Sequence, residues 1–525
     1  MLFHTDINFM KTFSKLTIGI TLLTNAFFGI FAALGYAEDW DETFPPVFNL
    51  ASLNGSNGFV INGIPGDMLG GESGYSISGV GDVNGDGIAD ILIGAPEGGA
   101  SEQGQSYIVF GKKGPWPQAI NLANLNGNNG FLINGINPHD NNGYSVSGAG
   151  DVNGDGMVDI LVGAPLANTA GQSYIVFGKK DSWPQAINLA NLNGNNGFAI
   201  NGIHPSDWCG GSVSGAGDVN GDGIADILIG ATGAYNHTGQ SYVVFGSKQA
   251  WPAVIKLDDL NGTNGFAING INQKDYSGLS VSGAGDINGD GIADILIGAV
   301  LANNRRGQSY VVFGKKGQWP PVIILDDLNG KNGFTINGIN PDVESGASVS
   351  GAGDINGDGI ADILIGAISP WASIAGQSYI VFGNKDPWPP VIILDDLNGK
   401  NGFVIHGISI ISSEVNGISV SEAGDVNGDG IADILIGSVV SNNDAGQSYV
   451  LFGSRQNWSA VNLANLNGTN GFALKGINQE DQSGSSVSGA EDINGDGVDD
   501  IIIGARGANN AVGQIFVIFG NKTKF

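Results

Sequence analysis

The amino-acid sequence predicts an all-β protein, a seven-bladed β-propeller of four-stranded antiparallel blades whose ring is closed by the N-terminal strand. Three observations lead to this fold class. One unit of about 68 residues recurs seven times, Gly accounts for 88 of 525 residues, and no stretch has the pattern of a long amphipathic helix. A repeat of this length is typical of solenoids, propellers or arrays. The Gly content indicates many tight turns between short strands.

Composition excludes several classes of protein. Hydrophobic residues make up 42% of the chain and charged residues only 14%, which is not the composition of a disordered acidic chain. The net charge of −29 argues against nucleic acid as a partner, because binding to phosphates requires basic patches. Cys209 is the single cysteine, so no internal disulfide framework is expected.

The N-terminal segment has the features of an export signal. An apolar run over residues 16–35 follows two lysines and precedes a small-residue cleavage site, as in a secretory signal peptide. We therefore expect residues 1–37 to be a signal peptide. Residues 38–525 would then form an exported propeller that is secreted, periplasmic or at the cell surface, with no membrane span in the mature chain. The alternative is an uncleaved anchor helix, since about 20 apolar residues can span a bilayer.

Each repeat unit predicts four short strands. In the first unit they are Phe59–Ile64, Tyr75–Val80, Ile91–Ala95 and Tyr107–Phe110. The third is a continuous apolar run, as expected of a strand buried on both faces, and Gly, Asn and Asp clusters separate the strands. A Trp-Pro pair follows most fourth strands, and we expect these aromatic residues to pack between units. A ring is favoured over a linear array, because an open array needs polar terminal caps that the end units lack.

The register of the repeat predicts how the ring closes. The first unit begins with the strand Phe59–Ile64, and the last unit ends with Ile515–Phe519. The seventh blade therefore lacks one strand and has an exposed edge, which favours aggregation, whereas the first unit has one strand in excess. Pairing these two strands would complete every blade, so we expect them to be neighbours.

An Asp-rich loop of the pattern D-[VI]-N-G-D-G-x-x-D occurs in every unit. The seven loops span residues 82–90, 151–159, 218–226, 286–294, 354–362, 425–433 and 492–500. Oxygen ligands at positions 1, 3, 5 and 9, with a backbone carbonyl at position 7, suit Ca²⁺ better than Mg²⁺, which keeps its waters. An EF-hand needs Glu at position 12 between two helices, whereas position 12 here is Ile93, in a predicted strand.

Up to seven calcium ions are therefore expected. The predicted ligands are Asp82, Asn84, Asp86, Ile88, Asp90, Asp151, Asn153, Asp155, Met157, Asp159, Asp218, Asn220, Asp222, Ile224, Asp226, Asp286, Asn288, Asp290, Ile292, Asp294, Asp354, Asn356, Asp358, Ile360, Asp362, Asp425, Asn427, Asp429, Ile431, Asp433, Asp492, Asn494, Asp496, Val498 and Asp500. The alternative interpretation, a turn with incidental acids, is common for a single loop and is disfavoured by seven copies.

The order of three motifs resembles the FG-GAP repeat, the blade of the integrin α-subunit head. In the first unit these motifs are Gly74-Tyr75-Ser76, the loop 82–90 and Gly94-Ala95-Pro96. The resemblance implies a seven-bladed propeller with its calcium loops on one face. The sequence departs from the family pattern at the Phe of the FG pair and in most GAP triplets, and all seven units carry the loop, whereas only some integrin blades do. The resemblance leaves open whether a β-type partner exists.

The expected function is that of a monomeric, calcium-binding recognition or adhesion module for an extracellular protein or glycan, and not of an enzyme. By the resemblance, the loops that vary between units lie on the face opposite the calcium loops, and varied loops on a rigid scaffold are usual binding sites. The candidate binding residues are Trp208, Tyr235, Arg305, Arg306 and Trp371.

Two other functions remain as alternatives, an extracellular lyase or hydrolase and a purely structural envelope component. The sequence contains no nucleophile elbow and no HExxH motif. For an enzyme, the loop residues His139, His204 and His237 would be the first candidates for a base.

Overall fold

The structure is a computed structural model that describes residues 44–65, 70–368, 376–407, 419–442 and 444–522. These residues belong to one compact unit built from seven five-stranded sheets. The predicted signal peptide lies outside the described residues, as does Trp371. Within the described ranges, no helix has the length and hydropathy needed to cross a bilayer.

We number the sheets as blades 1 to 7 along the chain, and the strands of each blade from first to fifth in hydrogen-bonding order. The first strands are Ser76–Gly81, Ser145–Gly150, Cys209–Gly217, Ser277–Gly285, Glu344–Gly353, Val420–Gly424 and Ser483–Glu491. The second strands are Asp90–Ala95, Asp159–Ala164, Asp226–Ala231, Asp294–Ala299, Asp362–Ile368, Asp433–Ser438 and Asp500–Ala505. The third strands are Gln105–Val109, Gln172–Val176, Gln240–Val244, Gln308–Val312, Gln377–Val381, Gln447–Leu451 and Gln514–Ile518.

The fourth and fifth strands of a blade come from later parts of the chain. The fourth strands of blades 1 to 7 are Gly130–Asn134, Gly197–Asn201, Gly265–Asn269, Gly333–Asn337, Gly402–His406, Gly471–Lys475 and Gly58–Asn62. The fifth strands are Ala186–Asn188, Val254–Lys256, Val322–Ile324, Val391–Ile393, Val461–Asn462, Val47–Asn49 and Ala119–Asn121. The first four strands of each blade are antiparallel, and the fifth is parallel to the fourth.

Short helices complete the connections. A 3-10 helix follows each fifth strand, at Leu50–Ser52, Leu122–Asn124, Leu189–Asn191, Leu257–Asp259, Leu325–Asp327, Leu394–Asp396 and Leu463–Asn465. Four-residue turns lie between the second and third strands at Ala234–His237, Ala302–Arg305 and Ala508–Ala511, and their two central residues have left-handed backbone conformations.

The arrangement of the first strands makes the ring. Each first strand contacts the first strands of both neighbouring blades, including blade 7 with blade 1. The backbones of neighbouring first strands approach closely. A Cβ atom at Gly79 would lie only 2.7 Å from the carbonyl oxygen of Gly489. All six residues of Asp90–Ala95 are buried, which confirms that the apolar second strands are covered on both faces.

The predicted ring closure is confirmed. Gly58–Asn62 is the fourth strand of blade 7 and pairs antiparallel with Gln514–Ile518. A second N-terminal strand, Val47–Asn49, pairs parallel with Gly471–Lys475 in blade 6. The N-terminal segment therefore completes two blades and not one.

The prediction of four-stranded blades was incomplete, since every blade has a fifth strand. This strand has only two or three residues, too few for an alternating pattern to be recognised. Its segment follows the Trp-Pro pair.

The expected aromatic packing is confirmed: Trp183 stacks on Phe131 of the fourth strand with ring centroids 4.2 Å apart, and Phe44 stacks in the same way on Phe472 at 4.5 Å.

Candidate metal centres

Each Asp-rich loop connects the first strand of a blade to the second. In blade 1, Oδ1 of Asp82 accepts hydrogen bonds from the backbone N–H groups of Gly85 and Asp86 at 2.6 and 3.1 Å, and Oδ2 accepts one from Gly87 at 2.7 Å. Oδ1 of Asp86 accepts the N–H of Ile88 at 3.0 Å. The carboxylates at positions 1 and 5 therefore hold the loop backbone folded around them through these hydrogen bonds.

The aspartate at position 9 is the deepest residue of the loop. Asp90 has no exposed surface. Its Oδ2 accepts the N–H of Val83 at 3.0 Å, and its Oδ1 accepts the N–H of Gly111 at 2.9 Å. Burial, together with the negative charges of Asp86 and Asp82, raises the pKa of Asp90 to about 8 against the lowering effect of these hydrogen bonds.

The same environment recurs in the other blades. The position-9 aspartates are all fully buried, at Asp90, Asp159, Asp226, Asp294, Asp362, Asp433 and Asp500. Burial raises the pKa to about 8 for Asp159, Asp294 and Asp362, to about 7 for Asp226, and well above the usual value for Asp433 and Asp500. A positive charge beside each carboxylate would offset this penalty on ionisation.

The donor set fits a hard cation in its chemistry. Asp82, Asn84, Asp86 and Asp90 present only oxygen atoms or amide groups within one nine-residue loop, the ligand type that Ca²⁺ takes. Within the described ranges, however, no three His, Cys, Asp or Glu side chains are gathered closely enough to form a ready-made metal site. In this structure, backbone N–H groups of the loop donate hydrogen bonds to both carboxylate oxygens of Asp82.

The structure adds a basic side chain to every loop, which the sequence analysis missed. The fourth residue of each loop, a Gly, is covered by Lys or Arg from another blade. The pairs are Gly85 with Lys180, Gly154 with Lys248, Gly221 with Lys316, Gly289 with Lys385, Gly357 with Arg455, Gly428 with Lys522 and Gly495 with Lys113. We call these seven the bridging basic residues. The sequence signal is FG-x-[KR] after every third strand.

The varied loops lie at the other end of the second strands. The loop after the second strand of one blade is bonded to the segment before the first strand of the next: the N–H of His139 donates to the carbonyl of Glu102 at 2.9 Å, and the N–H of Ser206 donates to Thr169 at 2.8 Å. Because Asp90 begins the second strand and Ala95 ends it, these loops and the Asp-rich loops lie at opposite ends. We call this set of varied loops the loop face.

Two of the candidate binding residues are exposed on the loop face. Trp208 is 41% exposed and Tyr235 is 55% exposed. Both have left-handed backbone conformations, with φ of 54° and 51°, which bulky residues rarely adopt. The ring of His237 lies between Trp208 and Tyr276, with centroid distances of 5.6 and 4.9 Å.

The two arginine candidates are engaged within the protein. Arg305 forms ion pairs with Asp342 at 2.9 Å and Glu344 at 2.7 Å. The Nε of Arg306 donates to the carbonyl of Ile339 at 3.0 Å, and both side chains are half-buried. These contacts connect neighbouring loops, while 42% of the Arg305 side chain remains exposed. A role for Arg305 and Arg306 in ligand binding stays a prediction.

Three acids that interrupt the repeat pattern meet between the first strands. Glu422 and Glu491 stand where the other units have Gly, and Asp499 stands where they have Ala or Val. All three line a cavity of about 360 Å³. Desolvation by the surrounding protein raises the pKa of Glu422, and the charges of Asp499 and Glu491 raise it further, although the side chain still contacts solvent in the open cavity.

Comparison with known proteins identifies the repeat. The family model described as FG-GAP repeat matches residues 73–109, 142–176, 210–244, 277–312, 345–381, 418–451 and 483–518. Each match covers the first three strands of one blade.

Integrin α-subunits are among the relatives. Integrin alpha pat-2 of Caenorhabditis elegans is 30% identical over 273 residues, which is 47% of this chain and 20% of the relative. Integrin alpha-6 of Gallus gallus is 30% identical over 234 residues, 43% of this chain and 19% of the relative. The chain spans about a fifth of the length of these relatives. The chain is thus an FG-GAP repeat protein, with one repeat in each blade of a seven-bladed propeller that resembles that of the integrin α-subunit.

Proposed function

We propose that this protein is an exported, calcium-binding recognition or adhesion module, which binds an extracellular protein or glycan through the loop face. The observation that supports it most is the contrast between the two ends of the blades. One end repeats the same Asp-rich loop seven times, whereas the other end carries loops that differ from blade to blade. A rigid repeated scaffold with varied loops is a common way to build a binding surface.

Calcium is the cofactor in this proposal. In blade 1, the side chains of Asp82, Asn84, Asp86 and Asp90 and the carbonyl group of Ile88 would hold the ion, and the equivalent residues would do so in the other six loops. The bound ion supplies positive charge that keeps the buried position-9 aspartate ionised. The loops then need no proton at neutral pH, and the turn between the first and second strands is fixed.

Recognition is assigned to the exposed aromatic residues of the loop face. Trp208 and Tyr235 offer large apolar surfaces next to polar loops, and such residues often dominate binding. The ligand is an extracellular protein or a glycan, and the protein itself is a monomer. Export rests on the signal-like pattern of residues 1–37, and no catalytic role is assigned.

The test is binding to a glycan array and capture of proteins from extracellular medium. The variant Trp208→Ala/Tyr235→Ala is expected to lose the ligands that the parent protein retains. The matched control is Val322→Ala/Val391→Ala, which removes two side chains that are 44% and 47% exposed on fifth strands. Equal ligand retention by both variants would contradict the assignment to the loop face.

A further inference from the structure

The bridging basic residues follow a strict pattern around the ring. Each covers the fourth residue of the loop in the preceding blade, and Lys113 of blade 1 covers Gly495 of blade 7. The chain has only 21 Lys and Arg residues in total, so a third of them occupy this one position. Such regularity in a chain with few basic residues indicates a role for their charge.

The backbone holds each bridging basic residue against the neighbouring loop. The residue just before it donates its N–H to the carbonyl at position 2 of that loop, as Lys179 does to Val83 at 3.0 Å. The same bond joins Ser247 to Val152, Lys315 to Val219, Asn384 to Ile287, Ser454 to Ile355, Asn521 to Val426 and Lys112 to Ile493. The placement of the basic side chain is therefore built into the contact between blades.

The stems of these side chains lie along the loops, and Lys522 also approaches the loop of its own blade. A Cβ atom at Gly85 would lie 2.5 Å from Cγ of Lys180. Lys522 covers Gly428 in blade 6, and its Nζ lies 3.9 Å from the position that a Cβ atom at Gly497 in blade 7 would take. Each loop holds three aspartates, so the ammonium group of Lys522 lies near loops of two blades that both carry negative charge. Within the described ranges, no bridging basic residue forms an ion pair shorter than 4.0 Å with a loop aspartate, so their charge acts on the loops over a longer distance.

We propose that the bridging basic residues are the resident counter-charges of the Asp-rich loops. They stabilise the contact between adjacent blades when no cation is bound, and they lower the affinity of the loops for calcium because a bound cation is repelled by them. The second part rests on the proposed function. The first part does not, since it concerns the protein in the absence of calcium.

The test separates the charge of the side chain from its packing. The variant Lys180→Met/Lys316→Met/Lys385→Met keeps the apolar stems and removes three charges. The matched control, Lys274→Met/Lys331→Met/Lys400→Met, removes the same charge from exposed lysines that cover none of the loops. Melting temperatures of both variants and of the parent are compared in chelator, at low salt and in 0.5 M NaCl, and then in a calcium titration.

In chelator at low salt, the bridging variant is expected to melt about 3 °C below the control. This difference should shrink in 0.5 M NaCl, since salt screens exposed charges. The midpoint of stabilisation by calcium should move to roughly three-fold lower concentration than in the control. Equal melting of the two variants in chelator would overturn the counter-charge role, and an unmoved calcium midpoint would overturn its effect on affinity. A parent protein that does not respond to calcium would refute the proposed cofactor, while the chelator comparison would still decide the first part.

Discussion

The side chain of Gln514 donates a 2.8 Å hydrogen bond to Oδ1 of Asn62, and this contact joins the two ends of the propeller. The same Gln-to-Asn bond links the third and fourth strands within a continuous stretch of chain in blade 1, from Gln105 to Asn134 at 2.9 Å. The closing blade is therefore held by the same Gln-to-Asn bond as blades 1 to 4, whereas blades 5 and 6 have His406 and Lys475 at the position of the Asn. The ring closes by repeating an existing interface.

Deleting residues 38–64 should disrupt blades 6 and 7 together. The deletion removes the strands Val47–Asn49 and Gly58–Asn62, which leaves two edges unpaired, and unpaired edges promote association. We expect an oligomeric or aggregated product by size-exclusion chromatography. Addition of a synthetic peptide of residues 44–64 is the control and should restore the monomer. A deletion variant that stays monomeric with an unchanged melting temperature would show that these strands do not close the ring.

Substitutions at two glycines of one loop should differ in how much they reduce the free energy of unfolding. Gly85 and Gly87 both have positive φ, 76° and 86°, so Ala is strained at either position by about 1–2 kcal/mol. A Cβ atom at Gly85 also meets the side chain of Lys180, whereas one at Gly87 meets no atom within 4 Å. We expect Gly85→Ala to reduce the free energy of unfolding by about 1 kcal/mol more than Gly87→Ala. Equal losses in urea denaturation would argue against close packing of Lys180.

The acids between the first strands should make stability depend on pH. The folded-state pKa of Glu422 is raised, so the folded protein binds this proton more tightly than the unfolded chain. The resulting stability is present at low pH and is lost as pH rises from the unfolded pKa through the folded pKa. We expect Glu422→Gln to raise the melting temperature by about 1–2 °C at pH 7.5 and to have little effect at pH 4.

The control for this prediction is Glu480→Gln, which removes the same charge from an exposed loop residue. Melts are compared in chelator, so that the calcium content does not vary between samples. An equal gain at both pH values would indicate a packing effect, and no gain at either would show that the charge of Glu422 does not destabilise the folded protein.

The sequence alone was enough to predict the features that follow from the register of the repeats. The pairing of Gly58–Asn62 with Gln514–Ile518 followed from a surplus strand at one end and a missing strand at the other. The second strands were recognised because continuous apolar runs such as Ile91–Ala95 are typical of strands buried on both faces, and the structure buries this run. The number and order of the blades followed from the same periodicity.

Other features depend on contacts that no local pattern reveals. Lys180 covers Gly85 only because blades 1 and 2 are adjacent in the ring, so its role could not be predicted from either unit alone. The charged guanidinium group of Arg305 suits a ligand contact, but Asp342 and Glu344 from the next segment form ion pairs with it. In both cases, neighbouring units that fold together decide what the side chain contacts.

The binding of calcium to the Asp-rich loops is the central claim, and its stoichiometry is the most direct test. Extracellular sites bind at roughly 10⁻⁴–10⁻³ M; at ten times the dissociation constant, one site adds about 1.4 kcal/mol and seven add about 10 kcal/mol. We predict that equilibrium dialysis finds seven Ca²⁺ per chain, that Asp222→Ala leaves six, and that chelator lowers the melting temperature by many degrees. A stoichiometry near zero, with the same melting temperature in chelator and in excess Ca²⁺, would contradict the account.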